Sequence, residues 1–288
     1  MNVLTVGGGF ISDHLPYPRF SSKLENKQHI QNMLDEKKTD ILINCIGKTG
    51  VPNIDWCEEH QAETAFANTI LPIMLADECD KRSIRMIHIG SGCIFFGYSP
   101  RAINDYHLYF GQPNSVVTID SGWKETDFAN PQYFYTKTKY ACDLVLGSMK
   151  NVTTLRIRMP ISSRVHPRNL IDKIRQYKQI TDIQNSVTFI DDLVRCIDWF
   201  IDNEGCGIFH ATNPGTISIA DIMKEYQKYV PEHKFEIVSE SCLGGMTLAK
   251  RSNCIIDSHK LEAFAKIQMK PAKEALAECM AKYAKNLK

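Results

Sequence analysis

Short apolar runs that alternate with helical patterns constrain the fold of this chain more than any other feature of its sequence. Strands are predicted at Val3–Val6, Ile41–Ile46, Ile84–Ile89, Val152–Ile157, Val187–Ile190 and Ile208–Ala211. Helices are predicted at Ala62–Cys79, Gln132–Met149, Asp191–Ile201, Ser218–Tyr229 and Pro271–Leu287. Buried strands separated by helices are typical of a parallel sheet with helices on both faces, so the pattern predicts an α/β protein with a doubly wound sheet.

The strand–helix alternation weakens after about Met159, although no Gly- or Pro-rich linker cuts the chain. We therefore predict a large domain at 1–160, which 186–213 rejoins, and a small C-terminal lobe made of 161–185 and 214–288. The irregular stretch Arg101–Asn130 is predicted to be a long excursion over a site.

Composition excludes several classes of function. The 34 basic and 33 acidic residues leave a net charge of +1, which argues against nucleic acid or an anionic membrane as the main partner. The ten cysteines include no Cys-x-x-Cys, so zinc ribbons and thioredoxin-type sites are not expected, and no cluster of metal ligands is predicted. No signal peptide is visible, and no apolar run approaches the ~20 residues that span a bilayer. We expect a cytoplasmic protein with reduced cysteines.

The first predicted strand leads into three glycines, Gly7, Gly8 and Gly9. Glycines at this point let backbone N–H groups approach a pyrophosphate at a helix N-terminus, as in a Rossmann-type dinucleotide fold. Ser12 stands where a later glycine is usual. The triplet alone also fits a tight strand–helix turn, but its position after an N-terminal buried strand favours dinucleotide binding.

A further strand, between the glycine loop and Ile41–Ile46, is predicted to end near Lys23. At this point an NAD enzyme usually carries an acidic residue that holds the ribose 2′-hydroxyl. Serines and Lys23 stand here instead, with Arg19 close by, and these groups suit the 2′-phosphate of NADP. Lys23 also fits a solvated surface charge. The sequence predicts NADPH rather than NADH.

Tyr135 and Lys139 form the pattern Y-x-x-x-K within a predicted helix. Residues four apart share one helix face, so the ammonium of Lys139 can stabilise a phenolate and make Tyr135 a general acid or base near pH 7. The pattern alone also fits an amphipathic surface pair. Ser91 follows the upstream strand Ile84–Ile89 by two residues and could donate a hydrogen bond to a substrate carbonyl that Tyr135 protonates.

The glycine loop, Ser91, Tyr135 and Lys139, in this order, resemble the extended short-chain dehydrogenase/reductases. Longer runs narrow the resemblance to bifunctional UDP-4-keto-6-deoxyglucose 3,5-epimerase/4-reductases, which complete UDP-rhamnose synthesis. These runs are Gly47–Glu58, Gly92–Phe95, Phe134–Lys139, Leu155–Ser163, His166–Asn169 and Arg251–Asn253. The resemblance extends from the glycine loop to about Leu261, nearly the whole chain. It departs from the family in the incomplete glycine pattern and in a short stretch after Ile11, which predicts a clipped first helix.

The resemblance implies an NADP-binding Rossmann domain with a small substrate-binding lobe. It also implies an epimerising pair, in which Cys93 shuttles protons at the sugar ring with Lys173 as its partner. Both residues, taken without the resemblance, fit ordinary structural roles. The implied cofactor-binding set is Gly7, Gly9, Phe10, Ile11, Lys23, Cys45, Gly47, Lys48, Tyr135, Lys139 and Met159.

Substrate-binding candidates are Arg168, Asn169 and Arg251 for a diphosphate, since guanidinium pairs well with phosphate oxygens, and Asn68 close to the cofactor. Asp55 and Glu58 fit a helix start as well as a ligand role. The expected partner is UDP-4-keto-6-deoxyglucose, supplied by an upstream 4,6-dehydratase, and a homodimer stays open.

Two alternatives remain on the sequence. One is a dTDP-4-ketorhamnose reductase or a GDP-fucose synthase; Cys93 favours an epimerase/reductase over a pure reductase, and the run Lys48–Glu58 favours the UDP-rhamnose type over the fucose type. The other is a catalytically silent Rossmann regulatory subunit, against which Ser91, Tyr135 and Lys139 argue.

Overall fold

The structure is a computed structural model that describes residues 1–51, 53–101, 122–239, 242 and 252–287. It divides into two compact units. The first unit comprises Met1–Ile94, Ala129–Arg156 and Val194–Phe209, and the second comprises Phe95–Phe128, Ile157–Leu193 and His210–Lys288. The predicted boundaries differ from this division chiefly at Phe95–Phe128, which the prediction includes in the domain at 1–160.

The described strands are Val3–Val6 (β1), Arg19–Phe20 (β2), Ile41–Asn44 (β3), Arg85–Ser91 (β4), Val152–Ile157 (β5), Pro160–Ile161 (β6), Gln179–Ile180 (β7), Thr188–Phe189 (β8), Gly207–His210 (β9) and Glu236–Ile237 (β10). Six of them form one sheet in the order β2-β1-β3-β4-β5-β9. The pairs β1–β2, β1–β3 and β3–β4 are parallel. The predicted Rossmann-type parallel sheet is therefore confirmed.

The described α-helices are Lys27–Lys37 (α1), Trp56–Glu59 (α2), Gln61–Ala65 (α3), Leu71–Asp80 (α4), Phe134–Leu146 (α5), Leu170–Ile174 (α6), Ile190–Asp202 (α7), Ile219–Gln227 (α8), His259–Ala265 (α9) and Ala272–Asn286 (α10). A π-helix, Phe66–Ile70, joins α3 to α4. The predicted helix over Ala62–Cys79 is thus three helical segments in succession.

The core of the first unit lies where α1 and α4 cover the apolar strands. Ile30, Met33 and Leu34 occupy one face of α1 at the spacing of an amphipathic helix and are buried with Leu42 of β3. The side chain of Asn26 caps α1 by accepting the N–H of His29 at 2.9 Å.

The second unit has its own core, in which α8 and α10 pack together with α6 and β8. Two short parallel pairs, β6–β8 and β7–β10, accompany these helices. A capping box begins α8: Asp221 N–H donates to Ser218 Oγ at 3.0 Å, and Ser218 N–H donates to Asp221 Oδ2 at 2.9 Å.

Candidate active site

The glycine loop follows β1 in a conformation that requires glycine. Gly7 has a φ of +96°, and a Cβ there would lie 2.7 Å from the backbone nitrogen of Ile46. Gly9 has a φ of +140°. A Cβ at Gly8, by contrast, would meet nothing within 4 Å. The loop is thus tightly packed on its inner side and open on its outer side.

The helix after this loop is short. A single 3-10 turn, Ser12–His14, replaces the longer helix of a typical dinucleotide fold. Ser12, which stands in place of the usual later glycine, donates from its Oγ to Gly9 O at 3.0 Å and so braces the loop. Phe10 is buried against the ring of His14, with the ring centroids 4.8 Å apart, and Ile11 is half-buried.

The cations predicted for the 2′-phosphate are paired with carboxylates. Lys23 is exposed and its Nζ lies 2.7 Å from Glu25 Oε1, a hydrogen bond that raises the pKa of Lys23. Arg19 pairs with Asp13. A 2′-phosphate would have to compete with these carboxylates for its cations.

Lys48 lies in the loop after β3. Its Nζ lies 2.7 Å from Glu63 Oε2 and 4.6 Å from the ring centroid of Trp56. Cys45, at the start of the same loop, has a thiol pKa raised to about 12 because protein atoms surround it. Cys45 is therefore a neutral thiol.

Tyr135 and Lys139 lie on one face of α5, and both side chains are buried. The Nζ of Lys139 donates to the carbonyl oxygen of Ile89 at 3.5 Å. A Cβ built on Gly47 would lie 3.5 Å from the Nζ of Lys139 and 3.5 Å from Asn68 Oδ1. The structure therefore brings α5, the end of β4 and the loop after β3 together, as the sequence prediction requires.

The surroundings of Lys139 hold few net charges. Burial raises the pKa of the Cys142 thiol to about 12, although Lys139 opposes this shift. Burial also lowers the pKa of His88 well below its ordinary value, and Lys139 lowers it further. His88 is thus a neutral imidazole, with its Nδ1 3.0 Å from Asn44 Nδ2. The nearby carboxylate of Asp143 is paired with Arg156, whose Nε lies 2.7 Å from Asp143 Oδ2.

Sequence reasoning missed this buried pair. A signal was available, because Asp143 follows Lys139 by four residues and therefore lies on the same face of α5. Arg156 comes from β5, and its partnership with Asp143 depends on the order of strands in the sheet.

Ser91 is the last residue of β4 and is buried. Its Oγ accepts the N–H of Cys93 at 3.2 Å, which fixes the short 3-10 turn Gly92–Ile94. Cys93 is half-buried in that turn, which contacts α5. Ser91 and Cys93 therefore lie where the sequence analysis expects them, at the carboxyl end of a parallel strand.

Asn68 is fully buried in the π-helix, and its amide is used by the protein. Oδ1 accepts Lys48 N–H at 2.7 Å, and Nδ2 donates to Lys48 O at 3.0 Å and to Thr138 Oγ1 at 3.4 Å. These bonds fit a supporting role, in which Asn68 fixes the loop at Lys48, better than the direct substrate contact we predicted.

The second unit contains the remaining predicted residues. Asn169 is fully buried, and its Nδ2 donates to Ser162 O at 2.8 Å and to Arg164 O at 2.9 Å. Both amide donors are therefore used within the loop before α6, so Asn169 fits support of that loop better than diphosphate binding. Arg168 is exposed on the same loop. Arg251 lies outside the described residues.

Lys173 lies on α6 and reaches solvent. Atoms packed around its side chain lower its pKa from the ordinary lysine value, and the charge of Arg168 acts in the same direction. Met159, predicted at the cofactor, has a φ of +39°, which is rare for a residue with a side chain. Met159 is half-buried against the core of the second unit.

Within the described ranges, no helix is both long and apolar enough to cross a membrane. Over the same residues, no three His, Cys, Asp or Glu side chains are grouped so that they could hold a metal ion.

The residues present fit a dinucleotide. The loop at Gly7–Gly9 is open at Gly8 and has no side chains that would keep a pyrophosphate from its backbone. Gly47, which also lacks a side chain, leaves the backbone beside Lys139 accessible to a ribose. Ser91 ends β4, and Tyr135 and Lys139 lie on the helix that contacts the turn after it, so the fold and this arrangement define a Rossmann-like α/β protein.

The chain belongs to the family described as the RmlD substrate binding domain, whose model matches residues 12–285. It is 34% identical over 251 residues to a bifunctional dTDP-4-dehydrorhamnose 3,5-epimerase/dTDP-4-dehydrorhamnose reductase from Arabidopsis thaliana, a match that covers 86% of this chain and 79% of that one. It is also 34% identical to a trifunctional UDP-glucose 4,6-dehydratase/UDP-4-keto-6-deoxy-D-glucose 3,5-epimerase/UDP-4-keto-L-rhamnose-reductase from the same plant, of which the match covers 35%. The chain therefore spans about a third of that trifunctional relative.

Solved structures that are similar to this one include a UDP-rhamnose synthase and a dTDP-4-dehydrorhamnose reductase. The UDP-rhamnose synthase from Acanthamoeba polyphaga mimivirus superposes with a TM-score of 0.84 and 26% identity, over 97% of this chain and 99% of that one. The dTDP-4-dehydrorhamnose reductase from Bacillus anthracis, solved with NADP, has a TM-score of 0.78 and 18% identity, over 97% of each chain. The second likeness concerns the fold alone.

Proposed function

We propose that this chain reduces the 4-keto group of a nucleotide-linked 6-deoxy sugar with NADPH and also epimerises the sugar at C3 and C5. The preferred substrate is UDP-4-keto-6-deoxyglucose, and the product is UDP-rhamnose. The observation that carries the proposal is the shared face of α5. Tyr135 and Lys139 are buried there one turn apart, and Lys139 Nζ lies 3.5 Å from the carbonyl oxygen of Ile89, two residues before Ser91.

In the reduction, Tyr135 gives its proton to O4 of the sugar while the carbonyl carbon receives a hydride. Ser91 donates a hydrogen bond to O4, so that negative charge developing on this oxygen is stabilised. Lys139 stabilises the phenolate that Tyr135 becomes. The nearby Cys142 thiol and His88 imidazole are neutral and the carboxylate of Asp143 is paired with Arg156, so these groups compete little for the ammonium of Lys139.

NADPH, when bound, supplies the hydride. Gly7, Gly9 and the backbone near Gly8 would hold its pyrophosphate, and Lys139, beside Gly47, would hold the nicotinamide ribose. Phe10, Ile11, Cys45, Lys48 and Met159 remain proposed contacts. Lys23 would hold the 2′-phosphate after leaving Glu25.

In the epimerisation, a base removes a proton from C3 or C5, each one bond from the C4 carbonyl, and an acid returns a proton to the opposite face. Ser91 and Tyr135 would hold the enolate oxygen. We assign Cys93 as one acid/base because it follows Ser91 by two residues in the turn after β4. We assign Lys173 as its partner, and the lowered pKa of Lys173 supports proton exchange closer to neutral pH than an ordinary lysine allows.

The two plant relatives differ in the nucleotide of the sugar in their names: the bifunctional protein is named for a dTDP sugar and the trifunctional one for a UDP sugar. A dTDP-4-ketorhamnose reductase is therefore the second candidate. We further propose that a separate 4,6-dehydratase supplies the keto sugar and that the protein is cytoplasmic. Size-exclusion chromatography with light scattering would decide between a monomer and the homodimer that the sequence leaves open.

The central experiment measures NADPH oxidation with UDP-, dTDP- and GDP-4-keto-6-deoxy sugars. We expect turnover with the UDP sugar and little with the others. Tyr135→Phe should abolish NADPH oxidation, whereas Tyr140→Phe, on the same helix but outside the proposed site, should retain it. Normal turnover by Tyr135→Phe would contradict the proposed general acid, and turnover only with the dTDP sugar would favour the second candidate.

A second experiment isolates the epimerase step. Cys93→Ala should lose incorporation of solvent deuterium at C3 or C5 while it still binds NADPH. Cys206→Ala, which changes an exposed cysteine, is the matched control and should exchange normally. Undiminished exchange in Cys93→Ala would exclude Cys93 as an acid/base.

A further inference from the structure

The first turn of α5, which carries Tyr135, is tied to a distant part of the first unit. The N–H of Phe134, the first residue of the helix, donates to Glu58 Oε1 at 2.7 Å, although the two residues are 76 positions apart. Helix N-termini leave four N–H groups without partners inside the helix, and a carboxylate is well suited to accept one of them. At the same end, Tyr133 N–H donates to Thr136 Oγ1 at 3.1 Å.

Glu58 reaches this position from a well-packed element. It lies on α2, where the preceding residue, Cys57, is fully buried, and its own N–H donates to Asp55 O at 3.0 Å. The rings of Trp56 and His60 stack with centroids 3.9 Å apart across the same helix. The Glu58 side chain is half-buried. Its carboxylate is therefore presented by a fixed turn.

The same stretch is anchored at its other end beside Lys139. The carbonyl of Lys48 accepts Nδ2 of Asn68 at 3.0 Å and the thiol of Cys57 at 3.8 Å. Gly47, next to Lys48, lies beside the Nζ of Lys139. The segment 47–58 thus connects the surroundings of Lys139 to the start of the helix that carries Tyr135.

We propose that Glu58 is a positioning residue for Tyr135, and this inference rests on the proposed function of Tyr135 as the general acid. Tyr135 is the second residue of α5, so fraying of the first turn would displace its phenol directly. Lys139, a full turn later, would stay in place. Displacement of a reacting group by about 1 Å can cost about 100-fold in rate. Loss of the Glu58 carboxylate should therefore lower kcat much more than it weakens cofactor binding.

The test compares Glu58→Ala with Glu58→Gln, because glutamine keeps a carbonyl oxygen that can accept the Phe134 N–H. We expect Glu58→Ala to lower kcat for NADPH oxidation by about 10- to 100-fold with little change in the KM for NADPH. Glu58→Gln should recover kcat to within a few-fold of the wild type. Glu59→Ala, which removes the exposed neighbouring carboxylate, is the matched control and should behave as the wild type.

Amide hydrogen exchange of the segment 133–137 provides a readout that does not depend on activity. Faster exchange there in Glu58→Ala, reversed in Glu58→Gln, is expected. Wild-type kcat in Glu58→Ala, unchanged exchange, or equal loss of kcat in the alanine and glutamine variants would overturn the positioning role. An inactive wild-type protein would instead refute the proposed function, and the exchange data would still show whether Glu58 holds the helix.

Discussion

Neutralising Asp143 is the perturbation for which the structure gives the clearest magnitude. Asp143 lies one turn beyond Lys139 on α5, and its Oδ2 is 2.7 Å from Arg156 Nε. The side chains are 1% and 2% exposed, so neither charge reaches solvent. Burial raises the pKa of Asp143, and the charge and hydrogen bond of Arg156 oppose that shift. Asp143→Asn removes the charge and keeps the volume, so the buried Arg156 guanidinium loses this carboxylate.

The expected cost follows from the geometry. Two unit charges 2.7 Å apart attract by about 6 kcal/mol at an effective dielectric constant of about 20, and removal of the charges from water offsets part of this. Breaking a buried pair from one side typically costs about 3–5 kcal/mol. We therefore expect Asp143→Asn to lower the free energy of unfolding by about 3–5 kcal/mol.

Urea denaturation at pH 7, followed by circular dichroism, would measure this difference. Glu36→Gln breaks the pair with Lys37, in which both side chains are largely exposed, and should cost less than about 1 kcal/mol. A double variant, Asp143→Leu with Arg156→Met, replaces both charges by apolar groups and should regain most of the lost stability. A loss below about 1 kcal/mol in Asp143→Asn, or a double variant no more stable than the single one, would refute the reasoning.

Three further predictions concern other groups. Glu78 is buried, and although burial alone would raise its pKa, hydrogen bonds from groups that include Lys27 hold that pKa far below its usual range. A carboxyl group whose pKa is lower in the folded than in the unfolded protein stabilises the fold at pH values above its unfolded pKa. This stabilisation is lost as the pH falls towards the folded pKa. Glu78→Gln should therefore lower the free energy of unfolding by about 3 kcal/mol in urea denaturation at pH 7, and by distinctly less at pH 3. Because the pKa of Lys173 is lowered, we expect its amine to be acetylated faster at pH 8 than the amine of the exposed Lys178. Mass spectrometry would follow both reactions, and slower acetylation of Lys173 would contradict the prediction. Gly7→Ala should lower the melting temperature because its φ is positive and a Cβ would clash, whereas Gly8→Ala should leave the melting temperature of the ligand-free protein unchanged and reduce its rise with NADPH.

The strands were the most predictable part of this fold. β1 and β5 begin and end at the predicted residues, and both consist mainly of Val, Leu, Ile and Thr, which are common in buried strands. The prediction of helix over Ala62–Cys79 matches the helical region to within one residue at each end, but it did not include a π-helix. Its middle is a π-helix that contains Asn68, and the side chain of Asn68 forms hydrogen bonds with Lys48 and Thr138. Hydrogen bonds to residues this far apart in the chain produce no periodic pattern in the sequence, so the π-helix could not be predicted from it.

The helix after the glycine loop shows a signal that sequence reasoning could have used more fully. Pro16 and Pro18 follow the loop closely, and proline cannot continue a helix because it lacks an N–H and its ring clashes with the preceding turn. The helix accordingly ends at His14, after one 3-10 turn. The shortness of the stretch predicted a clipped helix, and the two prolines give its physical cause.

The candidate site, like the fold, has some features that the local sequence predicts and others that depend on contacts between residues far apart in the chain. The shared helix face of Tyr135 and Lys139 could be predicted, because residues four apart lie on one face of a helix. The groups that fix this helix come from other elements: Glu58 from α2 holds its first turn, and Arg156 from β5 pairs with Asp143 near its middle. Their contacts depend on strand order and helix packing, which spacing does not encode. The residues proposed to react are therefore easier to find in this sequence than the residues that hold their helix in place, and variants of the second kind are the sharper test of the structure.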